Sequence, residues 1–99
     1  MEINIIKEGN KLLVTPIGRI DSTTSPEFES KVNQVFDATI EDLKIDMTNV
    51  DFISSKGIRI FLTYHRQMGT KGKFILANIN NSVREVLKLS ALLEVFNIE

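Results

Sequence analysis

Cysteine and tryptophan are absent from this sequence and histidine occurs once. Without cysteine there are no disulfides, no thiolate-bound metals and no thiol nucleophile. A single histidine cannot supply a histidine-rich metal site or a two-histidine acid–base pair, so the sequence leads us to expect no catalytic residue, no metal and no cofactor. No apolar run approaches the roughly 20 residues that cross a bilayer, and no secretory leader pattern opens the chain. The expectation is a cytoplasmic protein with no membrane insertion. Nor is there an excess of one charge. The 12 basic and 13 acidic side chains leave a net charge of −1, which argues against direct nucleic-acid binding.

What is present suits one soluble globular domain over residues 1–99, with 42% hydrophobic and 25% charged residues, viable as a monomer. The charge is unevenly placed. Residues 1–50 carry nine acids against five bases, and residues 51–99 four acids against seven bases. Lys56, Arg59, Arg66, Lys71 and Lys73 follow one another with no acid between them.

Residues 2–7 and 11–17 read as a hairpin turning at Gly9-Asn10. Pro16 cannot donate to a ladder, so that strand is expected at an edge there or to end nearby. Thr24 and Glu27 have the spacing of a capping box, and Pro26 suits the first turn of a helix whose stripe is Phe28, Val32, Val35 and Phe36. Leu43, Ile45 and Met47 alternate as a strand. A second helix is predicted from Ser54-Ser55, with Ile58, Phe61, Leu62, His65 and Met68 on one face and Gly69 or Gly72 at its end. Phe74–Ala77 reads as a buried parallel strand. Ser82 and Glu85 have capping-box spacing before a third helix with Val83, Val86 and Leu87 inward. The tail from Leu92 to Ile98 fits either a short helix or an edge strand.

The order β-β-α-β-α-β-α implies an α/β domain with a mixed four- to five-stranded sheet and helices packed on it. In such folds partners meet the loops that leave the carboxyl ends of the strands. Three polar loops qualify: Arg19–Thr24, Thr48–Ser55 and Asn78–Ser82.

Ser54-Ser55-Lys56-Gly57 carries the most information. A serine hydroxyl here can cap the helix. It can also receive a phosphate, because free amides and the helix dipole favour negative charge at this end. The basic stretch reads as the solvated face of the second helix and the following turn, or as a docking face for an acidic partner that begins beside Ser55. His65 reads as a packed, hydrogen-bonded core residue. It lies ten residues from Ser55, about 15 Å along one helix, too far for a nucleophile–base pair. Thr70-Lys71-Gly72-Lys73 reads as a turn, being too short and wrongly ordered for a P-loop.

The run Ile45–Leu62, centred on Ser54-Ser55-Lys56-Gly57, resembles the signature of the STAS domain family: the anti-sigma factor antagonists and the related domains of sulfate transporters. Gly18-Arg19-Ile20-Asp21 is similar to the family's Gly-x-Leu/Ile-Asp motif, and Ser82–Leu92 to its terminal segment. The resemblance covers nearly the whole chain. It implies a regulatory phosphoserine two residues before the glycine, at Ser55, with Asp21 as the neighbouring carboxylate. It further implies a partner-binding surface of Asp21, Ser22, Thr23, Ser54, Ser55, Lys56, Gly57 and Arg59, and a domain that is not itself an enzyme. Ser54 stands where many relatives have aspartate, and Lys56 where a small residue is usual. The mechanism implied is partner switching. The unmodified domain binds an anti-sigma serine kinase of the GHKL type, is released once Ser55 is phosphorylated, and is reset by a phosphatase. Two other roles are compatible with the same resemblance: an accessory subunit of an ABC-type lipid transport complex, and a small-ligand sensor.

Overall fold

The hairpin forms because Gly9 supplies the positive φ (60°) that its tight turn requires. In the computed structural model, which describes residues 1–99, strand β1 (Glu2–Glu8) runs antiparallel to β2 (Lys11–Ile20), with Glu8 opposite Lys11 and Glu2 opposite Ile17. Strand β2 is central rather than marginal and continues past Pro16, which is buried. Its lower half, Lys11 to Val14, pairs in parallel with β3 (Asp42–Asp46). Its upper half, Gly18 to Ile20, pairs in parallel with β4 (Val50–Ile53). Pro16 falls between these two ladders, so its missing donor interrupts neither of them. The register shifts between Gly18 and Arg19, and Gly18 takes the φ of 104° that lets the strand change partner.

Strand β4 is the element that the sequence pattern concealed inside a loop. It raises the mixed sheet to six strands, in the order β1-β2-β3-β5-β6 with β4 against β2. Strand β5 (Lys73–Ala77) runs parallel to β3, as its apolar run predicts. The ambiguous tail resolves as an edge strand, β6 (Asn97–Ile98), parallel to β5.

The helices are α1 (Ser25–Asn33), α2 (Ser55–Met68) and α3 (Asn81–Leu89). Val35 and Phe36 lie just beyond α1 and are half-buried. Gly69, at φ 56°, ends α2. The α2 stripe is wider than expected, burying Ile60 and Tyr64 as well as Ile58, Phe61 and Met68, while Leu62 and His65 are half-buried. Side chains from all three helices join one core of 21 buried residues. Its sheet layer is the set Leu12, Val14, Leu43, Ile45, Phe74 and Leu76, each at most 1% exposed. Successive strand residues point to opposite faces, so these six define one face of the sheet and leave the other open.

Neither expected capping box forms. Thr24 is in helical rather than extended backbone (φ −89°, ψ −22°), and its hydroxyl donates to the Arg19 carbonyl at 2.7 Å. Glu27 instead holds the chain's amino terminus. The cap of α3 is Asn80, two residues before Ser82; its side chain accepts from Val83 N at 2.8 Å.

Candidate functional site

The three predicted loops come together at the carboxyl ends of the parallel strands. Ser54 N donates to the Ile20 carbonyl at 2.8 Å, tying the start of α2 to the end of β2. The Asn80 amide donates to the Val50 carbonyl at 3.0 Å, tying the third loop to β4. Residues 20 and 53 thus end adjacent strands, and the chain enters α2 directly above them.

Ser54 and Ser55 have different environments. Ser54 is extended (φ −90°, ψ 171°), is partly buried, and accepts from Gly57 N at 3.4 Å; it is the cap. Ser55 is the first helical residue, is exposed, and makes no hydrogen bond through its hydroxyl. Gly57 explains how tightly this turn sits. A Cβ there would lie 2.8 Å from Ile20 Cγ2 and 2.9 Å from Ile53 Cγ1. The helix therefore rests directly on the ends of β2 and β4 and holds Ser55 at a fixed height above them.

Lys56 and Arg59 are exposed on the same end of α2 and form no ion pair with the chain's acids. With Pro26, Glu29, Ile60 and Thr63 they line a shallow groove between α1 and α2. Lys71 and Lys73, beyond the end of α2, do not share that face. Lys71 lies beside Asp37 and Glu41, and Lys73 projects from the open face of the sheet. The cations beside Ser55 are Lys56 and Arg59, and Arg66, seven residues after Arg59, continues that face two turns further along α2.

Asp21 organises the neighbouring loop. Its Oδ1 accepts from Thr23 N and Thr24 N, both at 3.0 Å, and Oδ2 lies 3.6 Å from Arg19 Nε. Thr23 and Ser22 are exposed at the tip. The Arg19 guanidinium carbon also sits 4.6 Å from the centre of the Phe52 ring, linking β2 to β4. No hydrogen bond joins Asp21 to Ser55; the carboxylate is engaged by its own loop. The Thr24 amide, then the Thr23 amide, the Thr24 hydroxyl and Arg19, hold its pKa below the usual 3.8 against an opposing desolvation. Asp46 is lowered in the same sense, first by the Asn78 amide and then by Thr48.

Both carboxylates contribute stability that is present above their ordinary value and lost as pH falls through the lowered one. Melting temperature is expected to hold through neutral pH and to decline below about pH 4. Thermal scans between pH 7 and pH 2.5 test this. Asp21→Asn retains an acceptor for the loop and should flatten part of that decline; an unchanged slope would remove Asp21 from the account.

His65 is packed but not hydrogen-bonded through its ring. It stands edge-on to Phe74 and Phe96, with ring centres 6.2 and 5.6 Å away. Sequence reasoning missed two residues that brace the site. Ser25, fully buried, donates its hydroxyl to the Asp21 carbonyl and anchors the loop from below. Tyr64, 2% exposed, donates to Asn33 Oδ1 at 2.8 Å and locks α2 to α1. Burial, then the nearby Glu29, pushes its phenol pKa well up. Tyr64 lies three residues beyond Phe61, and that helical spacing was the available signal.

A mixed sheet with helices packed on one face and polar loops gathered over its parallel strand ends defines a compact α/β domain that presents a loop-and-helix-end surface. The chain belongs to the STAS domain family, whose model matches residues 2–99. It is 25% identical over 99 residues to BtrV of Bordetella bronchiseptica, a protein named as an anti-sigma factor antagonist, covering 99% of this chain and 85% of that one. An anti-sigma factor antagonist from Mycobacterium paratuberculosis superposes with a TM-score of 0.87 at 23% identity, over 98% of this chain and 83% of the other. The Bacillus cell fate determinant SpoIIAA in its phosphorylated form superposes with a TM-score of 0.74 at 17% identity, over 99% and 91% of the two chains.

Proposed function

We propose that this protein is an anti-sigma factor antagonist that works by partner switching, with Ser55 as the switch. The observation that carries the reading is the division between the two serines. Ser54 makes the helix cap, so Ser55 is left exposed, without an internal partner, on a rigid helix end beside two unpaired cations. A kinase can reach that hydroxyl without unfolding anything. A phosphate there would add about −1.5 to −2 charge at the helix terminus that best tolerates it. The fold would be kept and only the surface offered to a partner would change.

On this reading an anti-sigma serine kinase of the GHKL type binds the unmodified loop surface of Ser22, Thr23, Ser54, Ser55, Lys56 and Arg59, while Asp21 shapes the loop. Transfer of phosphate to Ser55 weakens the complex, and a phosphatase restores it. The similarity to BtrV and the likeness of fold to SpoIIAA, which has been solved with and without phosphate, support the assignment. A role as an accessory transport subunit would leave Ser55 only a capping duty, and Ser54 performs that duty.

Incubation with the anti-sigma kinase and ATP, followed by peptide mass spectrometry, tests the switch. Phosphate is expected on Ser55 alone, with Ser55→Ala unmodified. A stable kinase complex that turns over ATP without modifying Ser55 would overturn the proposal.

A further inference from the structure

The face of the sheet turned away from the helices has no partner within the chain. It carries Asn4, Ile6 and Glu8 from β1, Lys11, Leu13 and Thr15 from β2, and their register partners. Asp42 and Lys44 continue these rows on β3, and Lys73 and Ile75 on β5. Ile6 is 53% exposed, Leu13 and Ile75 are half-buried, and the surface between these strands forms a shallow concavity bounded by Glu99.

The order of charges across this face is its informative feature. One row reads Glu8, Lys11, Asp42, Lys73, alternating in sign with no net charge. The next reads Ile6, Leu13, Lys44, Ile75, and the Lys44 ammonium is already paired with Glu99. A balanced alternating row suits neither a polyanion nor an anionic lipid surface. It is, however, complementary to itself. Rotation by 180° about an axis along the strands, between β2 and β3, sets two copies face to face with each row reversed on itself. Glu8 then meets Lys73 of the second copy and Lys11 meets its Asp42. Ile6 meets its Ile75, and Leu13 covers the stem of its Lys44. Such isologous pairing is what a two-fold dimer demands, and aligned sheets pack in this way about 10 Å apart.

We propose that the open sheet face is a self-association surface on which two copies of this chain form a face-to-face two-fold dimer. The four strands that overlap, about 4.8 Å apart and about 17 Å long, give on the order of 300 Å² per copy. That is below the standard size for specific interfaces and corresponds to a weak, reversible dimer. Every helix lies outside the interface, so both copies of the loop surface around Ser55 remain accessible. The proposal does not depend on the function assigned to that surface.

Sedimentation velocity of the full-length chain, from micromolar to about millimolar concentration, provides the test. We expect a concentration-dependent monomer–dimer equilibrium. Lys73→Glu and Glu8→Lys each place like charges opposite one another in the dimer and should raise the dissociation constant by about tenfold or more. The double variant Glu8→Lys/Lys73→Glu restores opposite signs across the two-fold and should return to within about threefold of the original value. Within one chain these residues lie three strands apart, so the rescue cannot arise internally. Both are exposed, and unchanged melting temperatures exclude unfolding as the cause. A monomer at every concentration, or a dimer indifferent to the single reversals, would overturn the proposal. So would a double variant as weak as the singles, and so would association only on added lipid vesicles or an acidic peptide.

Discussion

Phe61→Ala is expected to cost about 3–5 kcal/mol of folding stability. Phe61 is fully buried on α2. Its ring centre lies 5.9 Å from that of Phe28 on α1 and 5.8 Å from that of Phe74 on β5. One side chain therefore joins both helices to the strand beside β3. Truncation removes its transfer free energy and opens a cavity bounded by two other rings, which cannot bend into the space as aliphatic chains can. Domains of this size hold about 5–15 kcal/mol in total, so the variant should lose a large share of its stability. Urea unfolding would show this as a lower midpoint at unchanged slope. Phe61→Leu, which fills part of the void, should fall between the variant and the original. A loss below about 1 kcal/mol for alanine would mean that the cluster collapses and that the helices are held by something else.

The α/β class, the opening hairpin and the three helices could be read from the sequence because each rests on local chemistry, whereas Ser55 is singled out by the resemblance to the STAS family. Gly9-Asn10 turns the hairpin, the apolar stripe of residues 28 and 32 marks α1, and Ser54 with Gly57 marks the start of α2. Features decided by distant partners could not be read this way. Strand β4 spans only Val50–Ile53, and its ladder is to residues 18–20, more than thirty positions earlier. Four residues do not display a period strongly enough to announce such a pairing. The capping boxes failed for a related reason. Asn80, Asn81 and Ser82 are all competent caps by type, and the choice of Asn80 is fixed by its second bond, to the Val50 carbonyl. Thr24 has the correct spacing, but its hydroxyl is taken by the Arg19 carbonyl. Pro16 appeared to forbid a central strand only while the two separate ladders of β2 were unknown. At the site itself, residue types nominate both serines and the resemblance implies Ser55 as the phosphoserine, while the backbone angles of Ser54 show which hydroxyl faces the helix amides.

That division yields the sharpest functional expectation. Ser55→Asp should weaken kinase binding by about 100-fold, or ~2.7 kcal/mol, whereas Ser55→Ala should stay within about threefold of the original protein. The substitution separates stability from binding. A carboxylate at the first helical position interacts favourably with the dipole and the free amides, and the site is exposed. The aspartate variant should therefore melt no earlier than the original. A partner that docks against Lys56 and Arg59 presents acidic groups to this end of α2, and a new anion between them meets like charge at a contact where water is excluded. Added salt should narrow the gap between the two variants, because screening acts on repulsion and not on the loss of a methylene-sized contact. Calorimetric titration of the kinase with each variant, at low and high ionic strength, measures both effects. Equal affinities for the aspartate and alanine variants would show that charge at Ser55 does not govern docking. Weak binding accompanied by a fall in melting temperature would instead place the effect in the helix end itself.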